Sequence, residues 1–209
     1  MTDPVSVLDL GDDENRFSLE WLQRVHSFLD GVTGALVTTG SGKFYSNGLD
    51  LDWLLANSDQ AAKYVAEVQE LFARILTLPV PTVAAINGHA FGAGAMLAMA
   101  HDFRVMRADR GYFCFPEADI NIPFTPGMAA LIQGKLTPAA AIASMTTGRR
   151  FGGPDAVAIG LVDETAPESD LVKAASDRVA ALVGKDPGTL GAIKSTMFAP
   201  AITALRTPA

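Results

Sequence analysis

Three short stretches of this chain could act together on one substrate. They are Ser46-Asn47-Gly48-Leu49-Asp50-Leu51, then Ile86-Asn87-Gly88-His89-Ala90-Phe91-Gly92-Ala93-Gly94-Ala95-Met96, then Phe115-Pro116-Glu117. Gly48 permits a backbone conformation closed to other residues and leaves the Leu49 N–H free to point outward. The small residues of Gly92-Ala93-Gly94 let backbone approach a ligand, and a helix starting there adds a positive N-terminal dipole. Glu117 puts one carboxylate into an apolar setting of Phe113, Phe115 and Met96, where burial raises its pKa. Two aimed amides and one buried base can draw a proton from carbon and hold the enolate oxygen that forms. Taken singly, the turns read as a hairpin turn and as tight helix packing, and Glu117 as a surface carboxylate. The weight lies in the combination.

Other glycine patterns fail on inspection. Gly40-Ser41-Gly42-Lys43-Phe44 lacks the phosphate-loop spacing, and Phe44 stands where a magnesium-binding hydroxyl belongs. Gly88, Gly92 and Gly94 do not make a dinucleotide-binding fingerprint.

The 209 residues suffice for one large domain or two small ones; 49% hydrophobic content and a mean hydropathy of +0.23 support a sizeable core. A formal charge of −7 and a pI near 4.9 argue against a nucleic-acid surface. Cys114 stands alone, which excludes an intrachain disulfide and fits a reducing, cytoplasmic setting. Met1-Thr2-Asp3-Pro4 lacks the basic and apolar regions of a secretory leader. His26, His89 and His101 lie far apart, so no metal site is expected. The apolar run Val83–Ala100, with Gly88-x-x-x-Gly92, superficially matches a membrane helix. Clustered glycines, Pro79 and Pro81 just ahead, and no basic flank weigh against it.

The elements that must position these stretches are legible as periodicities. Val5–Leu10, Gly34–Thr39, Thr82–Ile86, Phe103–Met106 and Tyr112–Phe115 read as strands. Ser18 caps a helix stopped by Gly31, and Ser58 starts a second with a stripe of Val65, Val68, Leu71, Phe72, Ile75 and Leu76. A helix begins near Gly92 or Gly94. From Thr125 onward the pattern is helical, with Thr137-Pro138, Asp155, Ser169 and Asp186-Pro187 as starts, the last helix running to about Met197.

Read in order, Gly40-x-Gly42-Lys43-Phe44-x-Ser46-x-Gly48-x-Asp50, Pro81-Thr82-Val83-Ala84-Ala85-Ile86-Asn87-Gly88-x-Ala90-x-Gly92-x-Gly94 and Phe115-Pro116-Glu117 resemble the crotonase superfamily of enoyl-CoA hydratases and isomerases. The resemblance implies an α/β fold, a spiral of ββα units with a helical C-terminal region. It implies a single domain over 1–209, with the spiral core over about 1–135 and a helical part over about 136–209, shorter than the family's usual one. It further implies an acyl-CoA thioester whose carbonyl oxygen lies between the N–H groups of Leu49 and Ala93. Gly48, Asp50, Leu51, Gly92, Met96 and Phe124 would surround the substrate, with the adenine against the Asp50-Leu51 backbone. No separate cofactor is implied, since coenzyme A belongs to the substrate. A homotrimer or dimer of trimers is the usual assembly. Lys43 and Lys194 could touch phosphates, though solvated surface lysines are the plainer reading; His89 and His101 read as packing or surface residues.

The reaction turns on one position. Hydratases of this superfamily use two glutamates, and here Met96 stands where the first belongs, while Glu117 matches the second. Phe124 also replaces the glycine that hydratases tend to carry after Ile-Pro. Both departures point away from hydration, and Ser46-Asn47-Gly48-Leu49-Asp50 with a lone downstream glutamate resembles the Δ3,Δ2-enoyl-CoA isomerase branch, which implies Glu117 as single base with Met96 and Phe124 excluding water. A hydratase working with Glu117 alone, and a non-catalytic acyl-CoA-binding subunit, are the alternatives. Asp119 lies nearby in sequence, with its side chain expected to point elsewhere.

Overall fold

The computed structural model describes residues 5–207; Met1-Thr2-Asp3-Pro4, read above for a leader, lies outside the described residues. In chain order β1 (Val5–Asp9), α1 (Leu19–Asp30), β2 (Ala35–Thr39) and β3 (Phe44–Ser46) lead to α2 (Leu51–Ala56) and α3 (Ala61–Leu76). Then come β4 (Thr82–Ile86), β5 (His89–Phe91), α4 (Ala93–Ala100), β6 (Phe103–Arg107), β7 (Phe113–Cys114) and α5 (Glu117–Ile120). The remainder is α6 (Pro126–Lys135), α7 (Pro138–Met145), α8 (Gly153–Ala158), β8 (Glu164–Ala166), α9 (Leu171–Ala180), α10 (Pro187–Met197) and α11 (Ala199–Arg206).

All strands pair in parallel. The larger sheet runs β1-β2-β4-β6-β8 and the smaller runs β3-β5-β7. Each turn of the chain therefore gives one strand to each sheet: β2 then β3, β4 then β5, β6 then β7. This is the expected spiral. Strands β2 and β4 are buried at every position, as continuous apolar runs in covered parallel sheets must be. Alternate residues face opposite ways. Ala35, Val37, Val83, Ala85 and Val105 meet Leu171, Ala175 and Val179 of α9, while Leu36, Ala84, Ile86 and Met106 join the main core.

Helix α4 lies inside that core with all of Ala93–Ala100 buried. The membrane-like run Val83–Ala100 is thus a strand, a second short strand and an eight-residue helix. Among the described residues no helix is long and apolar enough to cross a membrane. Side-chain caps start several helices where the sequence places them: Ser18 accepts from Trp21 N, Thr125 from Met128 N and Thr137 from Ala140 N, the last two followed by proline.

Several elements depart from the sequence reading. The helix expected from Ser58 is α3, entered through a 3-10 turn at Ser58–Gln60, and α2 precedes it, capped by Asp50. Strands β3 and β5 span three residues each, too short to show a period. The region after about residue 135 is not purely helical, because β8 completes the larger sheet beside β6. Ser169 does not cap α9; Asp170 occupies that place without a side-chain bond. Past Met197 the chain turns at Phe198 into α11, which packs on α6 and α3.

Candidate active site

The three stretches singled out above leave the same end of adjacent strands. Leu49 follows β3, Ala93 follows β5, and Glu117 follows β7, the three strands lying side by side in the smaller sheet. Ends of parallel strands, where chain enters helix, are where open α/β sheets gather their ligands. The repeat of the spiral brings together residues far apart in sequence.

The direction of the Leu49 N–H follows from its peptide plane. A trans peptide points its C=O and N–H oppositely. The Gly48 O accepts from Phe17 N at 2.8 Å, so the Leu49 N–H faces away from Phe17. Among the described residues it donates to no protein acceptor. Gly48 has φ +80°, which side-chain-bearing residues rarely adopt. Its N–H donates to Ser46 Oγ at 3.0 Å, and that hydroxyl donates to Asn15 O at 2.7 Å.

Ala93 obeys the same logic. The Gly92 O accepts from Met96 N at 3.0 Å in the first turn of α4. The Ala93 N–H therefore points out of the helix N-terminus, without a protein acceptor among the described residues and backed by the helix dipole. Gly92 sits at φ +52° and ψ −122°, a conformation of glycine.

Glu117 opens α5 and is 9% exposed, with Oε2 buried and without a hydrogen-bond partner among the described residues. Burial raises its carboxyl pKa to about 7, opposed by its own backbone N–H. A β-carbon on Gly92 would lie 3.4 Å from Glu117 Oε1, so the carboxylate sits directly over that glycine.

These groups converge on a cavity of about 220 Å³ lined by Leu49, Leu51, Gly92, Ala93 and Glu117. Arg16, Asn47, Phe91, Pro116, Ile120 and Ile122 complete its wall. Glu117 is the one carboxylate of that lining and Arg16 the one cation; Arg16 pairs with Glu14 at 2.6 Å and Asp52 at 3.1 Å. Larger hollows lie elsewhere on the surface, away from Glu117. Arg16, Phe91 and Ile120 are not among the residues expected to bind; Arg16 arrives because folding brings the loop before α1 against the β3 turn.

Other expected substrate-binding residues lie outside this lining. Gly48 is behind the Leu49 turn. Asp50 caps α2, its Oδ1 accepting from Trp53 N. Met96 is 1% exposed and packs in the main core. Phe124 stacks edge-to-face on Phe115 and lines a separate hollow with Leu136, Ile142 and Met145. The apolar part of the cavity wall is therefore made by Leu49, Leu51, Phe91, Pro116, Ile120 and Ile122, not by Met96 and Phe124. The Asp119 carboxylate faces Gly148 instead of the cavity.

One more expectation needs revision. Lys194 is neither a surface lysine nor free for phosphate. It is 3% exposed and donates to Asp102 Oδ2 at 2.6 Å and Val80 O at 2.7 Å, tying α10 beneath β4. Lys43 is exposed beside the Phe44 ring. His101 is fully buried and burial depresses its pKa to about 3. Its Nδ1–H donates to Leu97 O, leaving Nε2 to accept from Thr38 Oγ1, which in turn accepts from Tyr45 O–H. This neutral chain ties α4, which opens at Ala93, to β2 and to β3, which leads into the Leu49 turn.

A parallel two-sheet spiral with paired backbone donors over one buried carboxylate defines a crotonase-type protein. Residues 15–208 match the enoyl-CoA hydratase/isomerase family. Enoyl-CoA delta isomerase 3 of Arabidopsis thaliana is 38% identical over 170 residues, covering 76% of this chain and 71% of that protein. A probable enoyl-CoA hydratase from Mycobacterium tuberculosis H37Rv superposes with a TM-score of 0.92 at 28% identity, over 100% of this chain and 90% of that one. Human mitochondrial delta3-delta2-enoyl-CoA isomerase shares the fold, with a TM-score of 0.87 at 24% identity over 96% and 81% of the two chains. The chain belongs to the enoyl-CoA hydratase/isomerase family.

Proposed function

We propose that this chain is a Δ3,Δ2-enoyl-CoA isomerase that moves the double bond of a 3-enoyl-CoA into conjugation, giving the 2-trans-enoyl-CoA. One observation carries the reading: Glu117 is the single carboxylate in a cavity also lined by Leu49 and Ala93. The name of the Arabidopsis relative supports it.

The thioester carbonyl oxygen accepts from the Leu49 and Ala93 N–H groups. Glu117 takes a proton from C2, and the electron pair moves onto that oxygen as a dienolate. The donors are fixed before the charge forms, and each contributes roughly 3–4 kcal/mol to the transition state. The same carboxylic acid then returns the proton to C4, and the double bond comes to rest between C2 and C3. A carboxyl group with a pKa of about 7 holds both forms near neutrality, as a group that must take and give back a proton requires. With an apolar wall and no second acid in the lining, water addition lacks a partner. The cycle draws on no separate cofactor, since coenzyme A is part of the substrate. Exposed Ile142, Ile193 and Met197 on α7 and α10 supply apolar surface for a homotrimer. The lone Cys114, buried and free, suits a reducing, cytoplasmic setting.

Spectrophotometry with 3-enoyl-CoA and 2-enoyl-CoA tests the reading. Conjugation at the thioester should appear with 3-enoyl-CoA and vanish in Glu117→Gln, with little hydration of 2-enoyl-CoA. Faster hydration than isomerisation would make the chain a hydratase. Tight acyl-CoA binding without turnover would make it a non-catalytic binding subunit.

A further inference from the structure

Among the described residues, each backbone N–H from Asn47 to Leu51 has a protein acceptor except that of Leu49. Asn47 N donates to Glu14 O, Gly48 N to Ser46 Oγ, and Leu51 N to Leu49 O. Asp50 N reaches out of the segment, to the Tyr64 hydroxyl at 2.9 Å. That hydroxyl donates to Phe17 O at 2.8 Å, while Phe17 N donates to Gly48 O at 2.8 Å. A closed ring results, in which Phe17 holds the peptide before Leu49 and Tyr64 holds the peptide after it.

We infer that Tyr64 is a positioning residue of the enolate site, its hydroxyl fixing the peptides on either side of Leu49 and so the aim of the free N–H. Packing alone does not account for the oxygen. Tyr64 is 1% exposed, its ring tilted against Trp53 at 5.3 Å, and phenylalanine would fill that space equally well. Both partners of the hydroxyl are backbone groups of the turn or of the strand-like segment that holds it. Burial lifts the phenol pKa to about 12, so the O–H stays available to Phe17 O. Without the oxygen, the Asp50 N–H and Phe17 O are left unpaired in a largely buried place, and the turn relaxes to find other partners. Small displacements of a donor are costly, since its strength depends on meeting the oxyanion at hydrogen-bond distance.

The inference rests on the isomerase reading for its kinetic test, but its spectroscopic test needs only acyl-CoA binding. Tyr64→Phe should lower kcat about tenfold while KM stays within about twofold, because the donor acts chiefly in the transition state. The infrared band of a ¹³C-labelled thioester carbonyl in bound hexanoyl-CoA should shift down in the unaltered protein, by at most half as much in Tyr64→Phe. Site-specific 3-fluorotyrosine at position 64, which keeps the hydroxyl, should restore both. If Tyr64→Phe lowers the melting temperature yet leaves kcat and the carbonyl band unchanged, Tyr64 is only structural and the inference fails. No band shift in the unaltered protein overturns it as well. A band shift without isomerisation removes the isomerase reading and leaves the role of Tyr64 standing. If Tyr64→Phe does not fold, amide exchange on the unaltered protein decides. The Asp50 N–H should then be protected about a hundredfold over the Leu49 N–H, and equal exchange refutes the inference.

Discussion

Gly48 and Ala93 pack so closely that a β-carbon on Gly48 would lie 2.9 Å from the Ala93 nitrogen. The same atom would meet Phe91 O at 2.9 Å and Gly94 N at 3.0 Å. The two turns that offer N–H groups to the cavity are thus in direct contact, and the spacing of the donors is set by a missing side chain. A relation between residues 45 positions apart follows from β3 and β5 being neighbours.

Gly48→Ala should separate those turns. The added methyl meets backbone on three sides, and φ +80° is strained for any side-chain-bearing residue, at a cost of roughly 1–3 kcal/mol. With both donors displaced, kcat should fall by about a hundredfold or more, the loss typical of one missing oxyanion donor. Thermal unfolding and 3-enoyl-CoA turnover check the two effects separately.

The pKa of Glu117 makes two statements about pH. With Glu117 as the proposed base, the carboxylate is the active form, so kcat/KM should rise about tenfold per pH unit below 7 and level above it. Stability runs the other way. The folded-state pKa of about 7 exceeds the ordinary 4.5, so the folded chain keeps a proton that the unfolded chain has lost. The contribution is therefore full below pH 4.5, declines as pH rises through 7, and totals up to ~3 kcal/mol. Glu117→Gln should gain on the unaltered protein over that window in urea unfolding, while losing turnover at every pH.

Met96 separates packing from chemistry. It touches core residues instead of the cavity, so Met96→Leu, a swap of similar volume, should cost less than about 1.5 kcal/mol and leave isomerase activity within about twofold. Met96→Glu would put a carboxyl among apolar side chains and should cost several kcal/mol, with rapid hydration of 2-enoyl-CoA not gained. Denaturant unfolding and the two-substrate assay read both variants.

Lys194 carries fold stability at a distance from the site. Replacing it with methionine leaves the Asp102 carboxylate with only the Thr82 N–H, and breaking such a buried pair costs about 3–5 kcal/mol. Isomerisation by the folded fraction should stay unchanged, which steady-state kinetics at low temperature would reveal.

Much of the site was legible because its chemistry depends on backbone. Gly48, Gly92 and the Pro116-Glu117 step announce unusual turns, and a glycine where φ must be positive is visible without a structure. The long strands and the capped helices α1, α6 and α7 were equally plain. What stayed hidden is whatever needs three dimensions. Strands β3, β5 and β8 are three residues each and show no period, so the smaller sheet that aligns the three turns could not be read. Arg16 reaches the cavity only because β3 draws the loop before α1 against it. Met96 and Phe124 occupy telling positions in sequence, but their side chains turn into the core and into another hollow. Tyr64 heads the apolar stripe of α3, one helical step before Val68, and nothing in that stripe reveals that its hydroxyl tip meets the β3 turn.

The central claim is that one shielded carboxylate carries the proton both ways. The most direct measurement is isomerisation of 3-enoyl-CoA in deuterium oxide, with mass spectrometry and NMR of the product at early conversion. A single Glu117 that holds its proton away from solvent gives product in which a large share of molecules carry no deuterium at C4. Full deuteration at C4 from the first turnover, under conditions where the substrate itself has not exchanged, would contradict it.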